Sequence, residues 1–163
     1  MKTQHTAPQA PPDHVIRTAV KLAAMSPCAK SKRGVVVFSL AGTHADGHGF
    51  NHPPFGTCAG TDECRSSCSK ICEHAEAMAL RQTVGEGLFD MLHVKVVDGE
   101  PVPSGGPSCW QCSKAILADQ RIAGVWLLHA DGWRRYDVRE FHALTLKECG
   151  LLNTFVNMSR RAS

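Results

Sequence analysis

Residues 74–80 of this chain read HAEAMAL, and residues 107–112 read PSCWQC. The first stretch opens a run of strong helix formers, and the second opens a run whose apolar residues recur at helical spacing. One imidazole and two thiolates suit Zn²⁺, and three protein ligands leave the fourth tetrahedral position to water. The two stretches therefore predict a catalytic type of zinc site formed by His74, Cys109 and Cys112.

Glu76 lies two residues after His74 and can face the same cavity without binding the ion. A zinc ion held by three protein ligands lowers the pKa of its water from about 15.7 toward roughly 7. A carboxylate beside it can accept a proton and pass it on. Taken alone, HxE is also typical of a helix start with a stabilising acid, and CxxC of a redox pair or half a structural zinc site. The combination favours a hydrolytic site with Glu76 as its catalytic acid and base.

The length of 163 residues suits one domain with a sizeable core. We predict a disordered tail over 1–12, a single domain over 13–157 and a second tail over 158–163. No run of eighteen apolar residues occurs, and the polar, proline-rich start lacks a signal sequence, so we expect no membrane contact and a cytoplasmic location. The net charge of +3 permits a phosphate-bearing substrate and argues against nucleic acid as a partner.

The pattern of apolar residues predicts helices and strands in alternation. The predicted helices are 13–26, capped by Asp13, then 74–84, 109–120 and 138–149, and the predicted strands are 34–40, a weaker strand ending near 50, 93–97, 124–129 and an edge strand over 151–156. Residues 51–73 show no period and are expected to form a long loop. This order implies an α/β fold with helices on both sides of a mixed sheet.

Further stretches carry a resemblance to a known family. Residues 26–37 read SPCAKSKRGVVV and residues 49–56 read GFNHPPFG. Together with the two stretches quoted first, they resemble the cytidine and deoxycytidylate deaminase superfamily, the dCMP deaminases in particular, over about residues 15–130. The resemblance implies a three-layer α-β-α fold with a central five-stranded mixed sheet. It also implies roles for five residues: zinc ligands at His74, Cys109 and Cys112, a proton shuttle at Glu76, and a nucleoside contact at Asn51.

Two positions depart from the family pattern, which usually has proline directly before the first cysteine of the CxxC. Here Ser108 occupies that position and Trp110 follows Cys109. We predict both as substrate neighbours, with a plain loop role for Ser108 and a core role for Trp110 as alternatives. His52, beside Asn51, is a further candidate substrate contact. The basic residues 30–33 either meet a 5′-phosphate or form a solvated flank.

A second group of cysteines precedes the first stretch. Cys64, Cys68 and Cys72 recur at every fourth position, and Cys58 lies six residues before them. Some relatives carry a second, structural zinc in this region, and Cys28 stands where they place a ligand. A closed cysteine site would explain how a loop without a core stays ordered. Buried free thiols and disulfides are the alternatives.

By this resemblance we expect zinc-dependent deamination of a cytosine mononucleotide, dCMP to dUMP with release of ammonia, by a homo-oligomer. The alternatives keep the chemistry and change the substrate: another nucleobase, nucleoside, modified nucleotide or secondary metabolite, or RNA and single-stranded DNA. A zinc-binding module without activity is a further alternative, which the intact Glu76 disfavours.

Overall fold

The computed structural model describes residues 10–152. Its elements, in chain order, are α1 (Asp13–Met25), β1 (Lys32–Ser39), β2 (Ala45–Phe50), α2 (Asp62–Ile71), α3 (Ala75–Gln82), β3 (Phe89–Val97), β4 (Glu100–Val102), α4 (Trp110–Ala118), β5 (Ile122–His129), β6 (Gly132–Asp137) and α5 (Val138–Glu148). None of these helices has the length and apolar character that crossing a bilayer requires.

The strands form one mixed sheet in the order β2-β1-β3-β5-β6. β3 and β5 run parallel, and the other neighbouring pairs run antiparallel. The short β4 pairs with the end of β3, beyond the residues that pair with β5. The five-stranded mixed sheet predicted from the sequence is therefore confirmed, with β4 as a small sixth strand.

Each face of the sheet is covered by helices. Along β1, Val35 and Val37 pack beneath α3, α4 and α5, whereas Val36 and Phe38 pack against α1. A strand buried on both faces has a continuous apolar sequence rather than an alternating one, which explains the run VVVF. The three-layer α-β-α arrangement is confirmed.

Glycine in β2 lets α3 lie directly on the sheet. A Cβ atom on Gly49 would stand 2.0 Å from the carbonyl oxygen of Ala75, and one on Gly47 would stand 2.4 Å from that of Ala79. Only glycine fits this close approach. The weak, glycine-rich strand thus sets the position of the helix that follows His74.

The structure corrects several boundaries. Pro12, rather than Asp13, is the N-cap of α1, and Asp13 is the first helical residue. Residues 62–71, expected as loop, form α2, which begins where the Thr61 side chain accepts a hydrogen bond from the Cys64 N–H. β6, over 132–137, is an edge strand that the sequence does not predict. Most of the predicted strand 151–156 lies outside the described residues. Most of both predicted tails lies there too.

Candidate metal centre and active site

The three predicted metal ligands lie at the starts of two helices. His74 is the N-cap of α3, and Cys109 is the N-cap of α4, with Cys112 in the first turn. The Cys109 sulfur accepts a hydrogen bond from the backbone N–H of Cys112 at 3.3 Å. Free N–H groups and the positive end of the helix dipole favour a thiolate at this position.

The ligand atoms converge. Nδ1 of His74 lies 3.3 Å from the sulfur of Cys109 and 3.3 Å from that of Cys112. All three atoms lie within 4.8 Å of one another, and no other such group of three occurs in residues 10–152. Bonds of about 2.0–2.1 Å to nitrogen and about 2.3 Å to sulfur place tetrahedral ligands roughly 3.5 Å apart. The donor set and its spacing therefore fit Zn²⁺.

The thiols of Cys109 and Cys112 differ in how readily they ionise. The pKa of Cys109 is lowered, because the Cys112 thiol donates a hydrogen bond to it and the His74 ring supports the thiolate. The same contact with Cys109, together with burial, raises the pKa of Cys112. The hydrogen bond with Cys109 raises the pKa of His74. The Cys109 thiolate is therefore favoured even without a bound cation.

Glu76 lies in the first turn of α3 and is 5% exposed. The Ser108 hydroxyl donates a hydrogen bond to its Oε1 at 2.7 Å, and Nδ1 of His93 faces the same oxygen at 3.7 Å. Burial opposes ionisation, but the His93 ring and the Ser108 hydrogen bond outweigh it, so the pKa of Glu76 is lowered. The carboxylate is therefore available to accept a proton near neutral pH.

These groups line one cavity of about 420 Å³. His74, Cys109 and Glu76 lie in its wall, and Ser108 lies beside them. Cys112 is buried behind them. The volume lies within the ordinary range of small-molecule sites. The residues that we predicted from the two deciding stretches thus meet at one concave site.

The same cavity carries positive charge and unpaired polar atoms. Lys30, Arg33 and Lys95 line it, and so do His93 and Ser104. Both ring nitrogens of His93 and the hydroxyl oxygen of Ser104 are buried without a hydrogen-bond partner. Buried polar groups are seldom left unpaired unless function requires it. The three cationic side chains therefore suit the cavity to a polar, anionic ligand.

Asn51 also lines this cavity, but its side chain is hydrogen-bonded to backbone groups of neighbouring residues. Its Oδ1 accepts a hydrogen bond from the Arg33 N–H at 2.7 Å, and its Nδ2 donates one to the Ser31 carbonyl at 2.7 Å. These bonds hold the segment that leads into β1. Asn51 thus shapes the cavity wall near Arg33.

The structure does not bring His52 or Trp110 to the cavity wall. His52 pairs with Glu73, through an antiparallel backbone bridge and a 3.4 Å contact between Nε2 and Oε2. Trp110 is 45% exposed in the first turn of α4, which also excludes the core position considered for it.

The sequence does not predict several residues of the cavity, among them His93 and Ser104, and it leaves the role of Arg33 open. The sequence does mark His93, because this is the one titratable side chain in the otherwise apolar stretch MLHV, residues 91–94. An imidazole inside a buried strand needs a polar neighbour. The sequence does not mark Ser104, because this residue lies in a loop of Pro, Gly and Ser in which no single hydroxyl stands out.

All eight cysteines are free thiols. In the second group, the sulfurs of Cys58 and Cys64 lie 3.6 Å apart. Cys28 lies near both Cys58 and Cys68, and Cys68 lies near Cys72. The five sulfurs form a continuous series rather than a compact set of three, and Cys28, Cys68 and Cys72 also line the cavity.

No protein-family model and no curated protein matches this sequence. Among solved structures, the apo form of the dCMP deaminase from the cyanophage S-TIM5 is similar, with 21% identity and a TM-score of 0.50 over 69% of this chain and 77% of that chain. The same phage protein in complex with dCMP and dUMP shows 23% identity and a TM-score of 0.46, over 62% and 68% of the two chains. A cytidine deaminase from Burkholderia pseudomallei shows 18% identity and a TM-score of 0.49, over 78% and 93%. The likeness to the apo phage protein, together with the mixed sheet between two helical layers, shows that the chain has the cytidine deaminase-like α/β fold.

Proposed function

We propose that the protein is a zinc-dependent deaminase that converts a cytosine mononucleotide, dCMP, to dUMP and ammonia. The observation that carries this proposal is the buried Glu76 carboxylate beside the convergent His74, Cys109 and Cys112, in the wall of one cavity. Metal ligation alone does not need this carboxylate, whereas hydrolysis needs a group that moves protons. The fold agrees with the proposal and does not by itself establish it.

His74, Cys109 and Cys112 would hold the ion, which supplies a water molecule of lowered pKa when bound. Glu76 accepts a proton from water and delivers one to N3 of the ring as the C4–O bond forms. It then transfers a proton from the new hydroxyl to the amino group as the C4–N bond breaks. One water is consumed, one ammonia leaves, and Glu76 returns to its carboxylate form.

The charge of the cavity supports a phosphorylated substrate. Arg33 is partly buried, and within residues 10–152 its guanidinium donates only to the Ser31 hydroxyl and the Ser104 carbonyl. No carboxylate lies within salt-bridge distance of it among residues 10–152. A partly buried cation gains from an anionic partner, and a phosphate monoester can pair with a guanidinium through two hydrogen bonds. A nucleotide therefore suits the cavity better than a nucleoside.

A deamination panel tests the proposal. Zinc-loaded protein is mixed with dCMP, CMP, deoxycytidine, cytidine and cytosine, and the loss of the cytosine chromophore is followed by absorbance. We expect dCMP to be consumed with the highest kcat/KM and dUMP to form in equal amount. If every compound stays unchanged, the proposed substrate class is wrong.

The substitution Arg33→Gln tests the phosphate contact. We expect kcat/KM for dCMP to fall by about 10- to 100-fold, because a hydrogen bond to a charged group contributes about 1.5–3 kcal/mol. The value for deoxycytidine, which has no phosphate, should change by less than about 3-fold. Lys32→Gln is the matched control, because the exposed Lys32 precedes Arg33 and does not line the cavity. Equal losses for both substrates would assign Arg33 to the structure of the wall rather than to the phosphate.

We also propose a second, structural zinc ion in the region of α2, held by cysteines from the set Cys28, Cys58, Cys64, Cys68 and Cys72. The 3.6 Å contact between Cys58 and Cys64 supports it, and so does the absence of any buried residue in α2, which leaves this helix without an apolar anchor. Metal binding can supply the free energy that a core does not.

Metal analysis tests the second ion. We expect about two zinc ions per chain in the wild type and about one in the double variant Cys58→Ser, Cys64→Ser. Cys149→Ser is the control, because Cys149 is exposed and lies outside both groups. A wild-type content of one zinc per chain, with the thiols of the second group open to alkylation, would show that these cysteines are free.

A further inference from the structure

One oxygen of Glu76 has two neighbours from different parts of the fold. The Ser108 hydroxyl, in the loop before α4, donates a hydrogen bond to Oε1 at 2.7 Å. Nδ1 of His93, in the middle of β3, faces the same Oε1 at 3.7 Å. No other side chain in the described part of the chain donates a hydrogen bond to Glu76. Oε1 is therefore the Glu76 oxygen that other side chains of the protein contact.

His93 has no other use in the described structure. It is 4% exposed, and both of its ring nitrogens are closed off from solvent and lack a hydrogen-bond partner. The Pro107 carbonyl also lies beside the ring. An imidazole buried in this way is costly unless a polar group pairs with it. Because the nitrogens are closed off, the ring is placed to act on Glu76 rather than on a ligand directly.

The gap between His93 and Glu76 is short enough to close. A hydrogen bond of this type needs about 2.7–3.2 Å, so the two side chains must approach by less than about 1 Å. Catalytic hydrogen bonds are commonly long in ligand-free structures and tighten when substrate binds. Burial lowers the pKa of His93. An imidazole carries at least one N–H in either of its protonation states, so the ring can donate to Oε1.

We propose that Ser108 and His93 form a two-donor support for Oε1 of Glu76, which leaves Oε2 as the oxygen that carries the proton during turnover. Both are positioning residues, because they act on the substrate through Glu76. The inference rests on the proposed function of Glu76 and adds residues to it.

Steady-state kinetics on zinc-loaded protein give the first test. Ser108→Ala and His93→Leu should each lower kcat for dCMP by about 10- to 100-fold, the range expected for a hydrogen bond to a charged group. KM should change by less than about 2-fold, and the metal content should stay as in the wild type. The double variant should lose less than the product of the two single losses, because both donors act on one oxygen.

Conservative variants separate positioning from a merely structural role. Asn places its amide nitrogen near the position of Nδ1, whereas Gln reaches the position of Nε2. We therefore expect His93→Asn to recover part of the kcat that His93→Leu loses, and His93→Gln not to. Ser108→Thr, which keeps the hydroxyl, should recover most of the kcat that Ser108→Ala loses.

Two control variants make the same substitutions, serine to alanine and histidine to leucine, at positions away from Glu76. Ser66→Ala removes an exposed hydroxyl of α2 that bonds only to the Glu63 carbonyl. His48→Leu removes an imidazole from β2 on the opposite face of the sheet, since Gly47 and Gly49 face α3. Both should keep the kcat of the wild type. If His93→Leu does not fold, the comparison of His93→Asn with His93→Gln, and that of Ser108→Ala with Ser108→Thr, still test whether these residues position Glu76.

Thermal unfolding tests the contacts without any substrate. The change in Tm caused by His93→Leu, and that caused by Ser108→Ala, should differ between the wild type and Glu76→Ala, which lacks both carboxylate oxygens, by roughly 2–4 °C or more. Equal changes in both backgrounds, or full kcat in Ser108→Ala and His93→Leu, would overturn the inference. If instead the wild type deaminates nothing in the panel, the proposed function fails, and the unfolding data alone decide whether the two donors hold Glu76.

Discussion

Glu76→Gln is expected to lower kcat for dCMP deamination by roughly 10³-fold, with a change of less than about 3-fold in KM. Gln has the shape of Glu and its amide oxygen can still accept the hydrogen bond that Ser108 donates to Oε1. It cannot accept a proton from water near neutral pH or return one to the ring and the leaving amino group. The substitution therefore removes proton transfer and keeps the packing of a residue that is 5% exposed.

The measurements for Glu76→Gln are initial rates by absorbance, zinc content and Tm, each compared with Glu86→Gln. Glu86 is exposed and does not line the cavity, so its amide should behave as the wild type. We expect Glu76→Gln to keep its zinc, because the carboxylate lies outside the group of three ligand atoms. Turnover near that of the wild type would refute the role of Glu76, whatever the substrate.

The candidate site could be predicted from sequence because its parts are local. His74 and Glu76 lie within one helix start, and Cys109 and Cys112 within another, so short spacings already determine which side chains share a face. The distance between the two helix starts is a property of the sheet, which the sequence indicates only through its apolar strands. Residues that enter from other strands, His93 above all, depend on register and could not be assigned.

The elements that sequence analysis missed are those that the core does not stabilise. α2 has no buried residue, so it carries no apolar period to detect. β6 exposes or half-exposes all of its residues, GWRRYD, at the edge of the sheet, and Arg135 there pairs with the buried Asp90. Both are held by contacts distant in sequence or by polar groups. Periodicity detects burial, and these segments have little of it.

The predictions for the core were better founded. β1 carries the continuous β-branched and apolar run VVVF because it is covered on both faces. α1 shows the spacing of a helix with one buried side, at Val15, Ala19 and Ala23. Such patterns follow directly from transfer of apolar surface out of water. The hydrophobic layers thus determine the sheet, and the sheet brings together the two helix starts that hold the site.

Loss of a metal ligand is the second large effect that we expect. Cys112→Ser should reduce the zinc content by one ion per chain and bring deamination to background. A serine hydroxyl is a poor zinc ligand at neutral pH, because it stays protonated where a thiol near a cation ionises. Cys112 is buried behind the cavity, so no water-exposed side chain can take its place.

The same substitution should lower the Tm of zinc-loaded protein. A ligand at 1,000 times its Kd stabilises the folded state by about 4 kcal/mol, which corresponds to roughly 8–16 °C for a chain of this size. Chelation should lower the Tm of the wild type by at least this amount, and that of Cys112→Ser by less, because the variant can lose only the second zinc proposed above. Cys149→Ser, with an exposed thiol outside the site, is the matched control and should respond to chelation as the wild type does. Retention of all zinc by Cys112→Ser would show that the ion is held elsewhere, and the convergence of His74, Cys109 and Cys112 would then need another explanation.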